Sequence, residues 1–162
     1  MESIKKVSKT CLPAGRGFTL IEILVVIGII AVLAAIVIIA INPARQFAQA
    51  RNTQRTSNVS TILNAVGQNI ADNKGVFTCA SNTLALGTTA VHIGTSATLA
   101  DFSCLVPTYI PSAIPTDPNG GTAADTDYTV AVDANGRFTV CAPNSVTEHE
   151  ISNPGPTICL TR

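Results

Sequence analysis

The chain has 162 residues, 46% of them hydrophobic and only 12% charged, with ten Lys and Arg balanced by ten Asp and Glu. An average soluble domain carries about twice that share of charge. The balance excludes a general basic field for nucleic acid, and the length fits one small domain plus an anchor.

The chain begins with a short basic leader: Lys5, Lys6, Lys9 and Arg16 face a single acid, Glu2. The 24 residues from Phe18 to Ile41 follow, of which seventeen are Ile, Leu, Val or Phe and four are Ala; Glu22 alone can ionise. A run of this length and character reads as a membrane-spanning helix. Its large apolar side chains favour insertion by roughly 5–10 kcal/mol, and one acid costs about 3 kcal/mol at the helix centre. The helix therefore inserts despite Glu22, and an acid held in a bilayer at such cost is a candidate functional residue.

An ordinary secretory signal places its small-residue cut after the apolar region. Here Gly17 precedes it, and Asn42-Pro43-Ala44-Arg45 follows it with no Ala-x-Ala pattern. The stretch Gly17-Phe18-Thr19-Leu20-Ile21-Glu22 closely resembles the prepilin peptidase motif of type IV pilins and type II secretion pseudopilins. The resemblance covers roughly residues 5–60. It implies cleavage after Gly17, N-methylation of Phe18 and a mature chain of 145 residues. It also implies a fold: a long N-terminal α-helix, membrane-spanning in its first half, packed on a small antiparallel sheet. That is an α+β, type IV pilin-like architecture.

The expected organisation is a cleaved leader (1–17), a transmembrane and assembly helix (18–41), an amphipathic continuation (42–75) and a globular head (76–162). In the assembled fibre the resemblance gives Glu22 a role. Its carboxylate would meet the new Phe18 ammonium of a neighbouring copy and set the register, because either charge alone is costly in low dielectric. The alternatives are contact with its own amine or snorkelling to the interface.

Pro43 removes a backbone hydrogen bond and clashes with the carbonyl of Ile39, so a break in the helix is expected there. It stands a few residues later than the proline usual in pilins, and a simple kink on leaving the membrane accounts for it equally. From Ala44 to about Asn73 the helix resumes. Phe47, Val59, Ile62, Leu63, Val66 and Ile70 recur at spacings that build one apolar stripe. Arg45, Arg51 and Arg55 lie near one side, in a polar stretch read as facing solvent, headgroups or neighbouring subunits. Lys74-Gly75 ends the helix.

Removal of the leader discards Cys11 and leaves Cys79, Cys104, Cys141 and Cys159. Four cysteines in a small head beyond a membrane anchor point to two disulfides in an oxidising exterior. Three pairings are open, and the two local loops, Cys79–Cys104 and Cys141–Cys159, are favoured. Wide spacing and the lack of Cys-x-x-Cys argue against zinc. The flanking basic charges are nearly balanced, so it is the cysteines that place the head outside and the leader in the cytoplasm.

Residues 76–128 read as largely irregular, with a short strand at Val91-His92-Ile93 and His92 as a structural histidine. The run from Tyr109 to Pro118 resembles a proline-rich loop of small pilins and major pseudopilins. Thr129–Val132 and Phe138–Cys141 alternate and are joined by Asp133-Ala134-Asn135-Gly136-Arg137, which marks a hairpin. Ile158-Cys159-Leu160 offers a third strand. Asp117, Asp125 and Asp127 form a candidate calcium site by resemblance to major pseudopilins, although ordinary turn chemistry explains the same residues.

No phosphate-binding loop, zinc-protease helix or nucleophile elbow is present, and Glu148-His149-Glu150 reads as a solvated turn, so no enzyme is expected. The leading expectation is a structural subunit that forms a homo-oligomeric helical filament. Its partners would be the inner membrane, a prepilin peptidase, an assembly ATPase and a platform protein. The alternatives are a pseudopilin of a secretion or DNA-uptake machine and a membrane-anchored module that never polymerises.

Overall fold

A computed structural model describes residues 17–82 and 84–162. The leader from Met1 to Arg16, with Cys11, lies outside the described residues. The chain divides into two units, Met1–Asn42 and Pro43–Arg162.

In the first unit, α1 runs from Leu20 to Ala40, and none of its residues is buried. Its length and composition suffice to cross a membrane. Thr19 caps the N-terminus: its hydroxyl accepts from the Glu22 N–H at 3.3 Å, and the Glu22 carboxylate accepts from the Thr19 N–H at 3.3 Å. This reciprocal arrangement satisfies amide donors that a helix start leaves unpaired. At the other end Ile41 is extended, at φ −96° and ψ 117°.

The second unit opens with α2, Pro43–Asp72. Pro43 takes the first helical position, where its missing N–H costs nothing, and the residue before a proline is held out of the helical region. The helical structure is thus interrupted at Ile41 and Asn42. At its C-terminus the Gly75 N–H donates to the Ile70 carbonyl at 2.8 Å. Lys74 and Gly75 both have positive φ, 58° and 91°, so a lysine shares the left-handed turn that the sequence assigned to glycine.

Four antiparallel strands complete the α+β unit: β1 Val91–His92, β2 Thr129–Val132, β3 Phe138–Ala142 and β4 Ile158–Thr161, in that spatial order. β2 and β3 form the hairpin, with Val130 opposite Val140 and Val132 opposite Phe138. Asp133 ties its turn, accepting from the Asn135 and Arg137 N–H groups at 2.8 and 2.9 Å. Gly136 supplies the positive φ of 77° that the turn needs. β4 pairs with β3, placing Cys159 opposite Cys141.

The core lies between α2 and the sheet. Val59, Ile62, Ala65 and Val66 from α2 meet Phe102, Leu105, Tyr128, Val130 and Val140. Each such large apolar side chain contributes about 1.5–3 kcal/mol when fully buried. Phe47 does not belong to this core: it is 67% exposed, and Ala48 is buried beside it. The next buried positions along α2, Asn52 and Arg55, are polar, so the apolar stripe starts only at Val59.

Disulfides join Cys79 to Cys104 and Cys141 to Cys159. The second links a directly opposed pair on β3 and β4, with Cα atoms 4.1 Å apart. The backbone bonds between Phe138 and Arg162 fix the alternation and make Cys141 and Cys159 a non-hydrogen-bonded pair, the closer of the two kinds.

Candidate functional site

Gly17, Phe18 and Glu22 lie together at the start of α1, and all three are exposed. Gly17 and Phe18 precede the helix as non-helical backbone, and Glu22 completes its first turn. The junction is therefore a short non-helical segment ending against a capped helix. Beyond it, α1 presents an apolar surface on every side: Leu24, Ile27, Ile30 and Ile38 are each more than half exposed. A helix apolar all round has to be buried in a bilayer or against other helices, and among the described residues none of α1 is buried.

In the second unit, the charged groups that sequence left in solvent form a buried cluster. Arg55 is fully buried. Its Nε and Nη2 donate to the two Asp117 carboxylate oxygens at 2.7 and 3.0 Å, and its Nη1 donates to Asn52 Oδ1 at 2.7 Å and to Glu148 at 2.6 Å. Arg51, half-buried, donates from Nε to the same Glu148 carboxylate at 2.7 Å. Arg51 and Arg55 therefore do not form a solvated face, and Glu148 is not in a solvated turn. The bond from Arg51 holds the Glu148 carboxyl down at about 2 against the opposing effect of burial, and Arg55 adds to it. Burial works to discharge Arg55, but the hydrogen bonds it donates to Asp117 and Glu148 outweigh it and raise its pKa.

The three acids of the candidate calcium site have different partners. Asp117 is occupied by Arg55 and by the Asn119 N–H, and it is not among the acids that gather with His92. Asp125 and Asp127 instead gather with His92, with one ligand atom from each within 4.8 Å of the others. His92 Nδ1 lies 3.0 Å from Asp125 Oδ1. Burial pushes the Asp125 carboxyl up, but the bonds from His92 and the Asp127 N–H bring it below its ordinary value. Calcium takes six to eight oxygens. One imidazole and two carboxylates would supply part of such a shell, with backbone carbonyls and water needed for the rest.

The buried polar set was visible in one signal. Positions 48, 52, 55, 59, 62, 66 and 69 alternate steps of four and three, and all are buried. Arg55 sits on the core line, and so does Asn52. A neighbouring polar residue, Asn58, is buried as well, its Nδ2 donating to the Thr116 carbonyl at 3.1 Å and to the Tyr128 hydroxyl at 2.9 Å.

Residues 14–41 match the prokaryotic N-terminal methylation motif, the class III signal peptide that type IV pilin and pseudopilin precursors share. The match spans the leader junction and α1 and stops short of α2. No curated protein and no solved structure matches the chain.

Proposed function

We propose that this chain, a precursor of the type IV pilin or pseudopilin kind, is a structural subunit that polymerises through α1 into a type IV pilus fibre. It is cut after Gly17 and methylated on the new Phe18 amine. The observation that carries the reading is α1 itself: 21 apolar-rich residues, none buried among the described residues, lying within the matched processing motif. In the membrane, lipid covers that surface. In a fibre, copies of the same helix cover it, and Glu22 of one copy pairs with the Phe18 ammonium of the next.

The supporting partners are a prepilin peptidase at the Gly17–Phe18 bond, the inner membrane as the subunit reservoir, and an assembly ATPase with its platform protein. The leader faces the cytoplasm and the disulfide-bonded head faces outward. Two disulfides fit an oxidising exterior.

A second reading, a pseudopilin of a secretion or DNA-uptake machine, draws on one observation. The proline-rich loop ending at Asp117-Pro118 is anchored on α2 through Arg55. The two readings share their assembly physics and separate on fibre length at the cell surface.

Mass spectrometry of membrane-extracted protein tests the proposal. The expected chain begins at Phe18, carries one added methyl group, and is four hydrogen atoms lighter for its two disulfides. A chain that keeps its lysine-bearing leader in cells with an active peptidase overturns it.

A further inference from the structure

The head unit carries an apolar groove of about 350 Å³. Leu63, Val66, Gly67 and Ile70 of α2 form one wall, and Phe138 of β3 forms the other. Arg137 and Arg162 also line it. Arg137 bonds to Asp133 at 2.7 Å, and Arg162 bonds to Asn64, so both guanidinium groups are held in place. Gly67 keeps the wall low: a Cβ there would meet nothing nearer than Arg162 Cδ at 3.9 Å. The chain's own packing would accept alanine at this position, and glycine weakens a helix interior. The open floor is therefore not a requirement of the fold.

On the same helix Phe47 projects a bare ring, 67% exposed. At 3.6 residues per turn it lies about 150° round the helix from the centre of the groove wall, and roughly 29 Å away along the axis. One chain cannot put its own Phe47 into its own groove. A second copy, parallel to the first and displaced along the helix, can. The chemistry is complementary. A cavity of ~150 Å³ already accommodates a benzene ring, so this groove has room for one. Arginine side chains in the lining are suitable neighbours for an aromatic ring.

We propose that Phe47 of one copy seats in the α2–β3 groove of a neighbouring copy. The two patches differ and lie on opposite sides of one helix, so the contact is heterologous. Such a contact leaves a free Phe47 at one end and a free groove at the other, and it propagates into an open filament instead of closing a dimer. The inference rests on the polymer reading and adds to it: the heads, as well as α1, specify the neighbour and the stagger.

The test uses the full-length chain in cells that assemble it. One tagged form carries Phe47→Cys and a second carries Ile70→Cys, and sheared fibres from cells making both are treated with a short bis-maleimide. The expected product is a heterodimer bearing both tags, with no dimer from Phe47→Cys alone. Phe47→Asp, a change at an exposed position, is expected to leave the head folded and to reduce fibre yield at least tenfold, while Phe47→Tyr restores it. Fibres that form normally, show no 47–70 cross-link and tolerate Phe47→Asp overturn this contact and leave the proposed function standing. A 47–47 dimer in the fibres also overturns it. Absence of any fibre from the unmodified chain removes both.

Discussion

Arg55 and Glu148 are 93 residues apart in the chain and meet at 2.6 Å with both side chains buried. The same guanidinium holds Asp117 through two bonds, so one arginine on α2 fastens two separate loops. Breaking a buried pair on one side leaves an uncompensated charge and costs about 3–5 kcal/mol. Arg55→Met is therefore expected to destabilise the head by that amount, because Asp117 is then buried without a cation. Arg55→Lys is expected to recover only part of the loss, since an ammonium cannot reproduce the two-pronged contact. Denaturant unfolding followed by circular dichroism measures both. Adding Asp117→Asn to Arg55→Met should restore stability if the stranded charge is the cause.

The same cluster sets an acid limit. Glu148 is brought from an ordinary 4.5 to about 2 in the folded chain, chiefly by Arg51 and further by Arg55. A carboxylate with a depressed folded pKa contributes stability that is fully present above its unfolded value. That contribution is lost as pH falls from 4.5 towards 2. Asp125 and Asp133 are also lowered and add smaller contributions of the same sign. Unfolding free energy is expected to be flat from pH 7 to 5 and to fall steeply below that. In Glu148→Gln the pH 7 value should be lower and the slope below pH 4.5 shallower. An unchanged slope in that variant would place the acid sensitivity elsewhere.

Much of this head was legible in sequence, and the failures have one physical origin. The hairpin was readable because its strands alternate and Asp133-Ala134-Asn135-Gly136-Arg137 has the chemistry its turn requires. The end of α2 was readable at Lys74-Gly75 for a similar local reason. Arg55, Asp117 and Glu148 were misplaced because a charged residue looks the same in sequence whether solvent or a distant partner neutralises it. Their partners lie 62 and 93 residues away, beyond any local pattern. Phe47 failed in the opposite sense: it was read into the apolar stripe, but Ala48, Asn52 and Arg55 take the buried line there and Phe47 remains exposed.

Each disulfide closes a modest loop, 25 residues for Cys79–Cys104 and 18 for Cys141–Cys159. In the chain-entropy account a loop of this size is worth about 3 kcal/mol. The double variants Cys79→Ala/Cys104→Ala and Cys141→Ala/Cys159→Ala should each lower stability by roughly that much. Their local effects should differ. The second pair ties the edge strand β4 to β3, so its removal is expected to speed amide exchange at Ile158 and Leu160. The first pair ties the loop after α2 to the short turn at Ser103–Leu105, so its removal should leave β4 protection unchanged. Hydrogen exchange read by mass spectrometry separates the two.

Glu22 allows a charge role to be separated from a capping role. The apolar run favours insertion by roughly 5–10 kcal/mol against about 3 kcal/mol for one acid, so losing the acid strengthens insertion. The uncut chain uses the Glu22 carboxylate to accept from the Thr19 N–H and hydroxyl at 3.3 Å, and this capping needs only an acceptor. The Glu22→Gln variant keeps an acceptor and gives up the charge, whereas Glu22→Ala gives up both. If Glu22 pairs with the Phe18 ammonium of a neighbour, both variants should insert and be cut after Gly17 as the parent is, and neither should yield fibres. If capping alone were the role, Glu22→Gln would polymerise and only Glu22→Ala would fail. Counting fibres by electron microscopy beside mass spectrometry of the membrane pool distinguishes these outcomes, because the pool confirms that each variant was inserted and processed before assembly was scored.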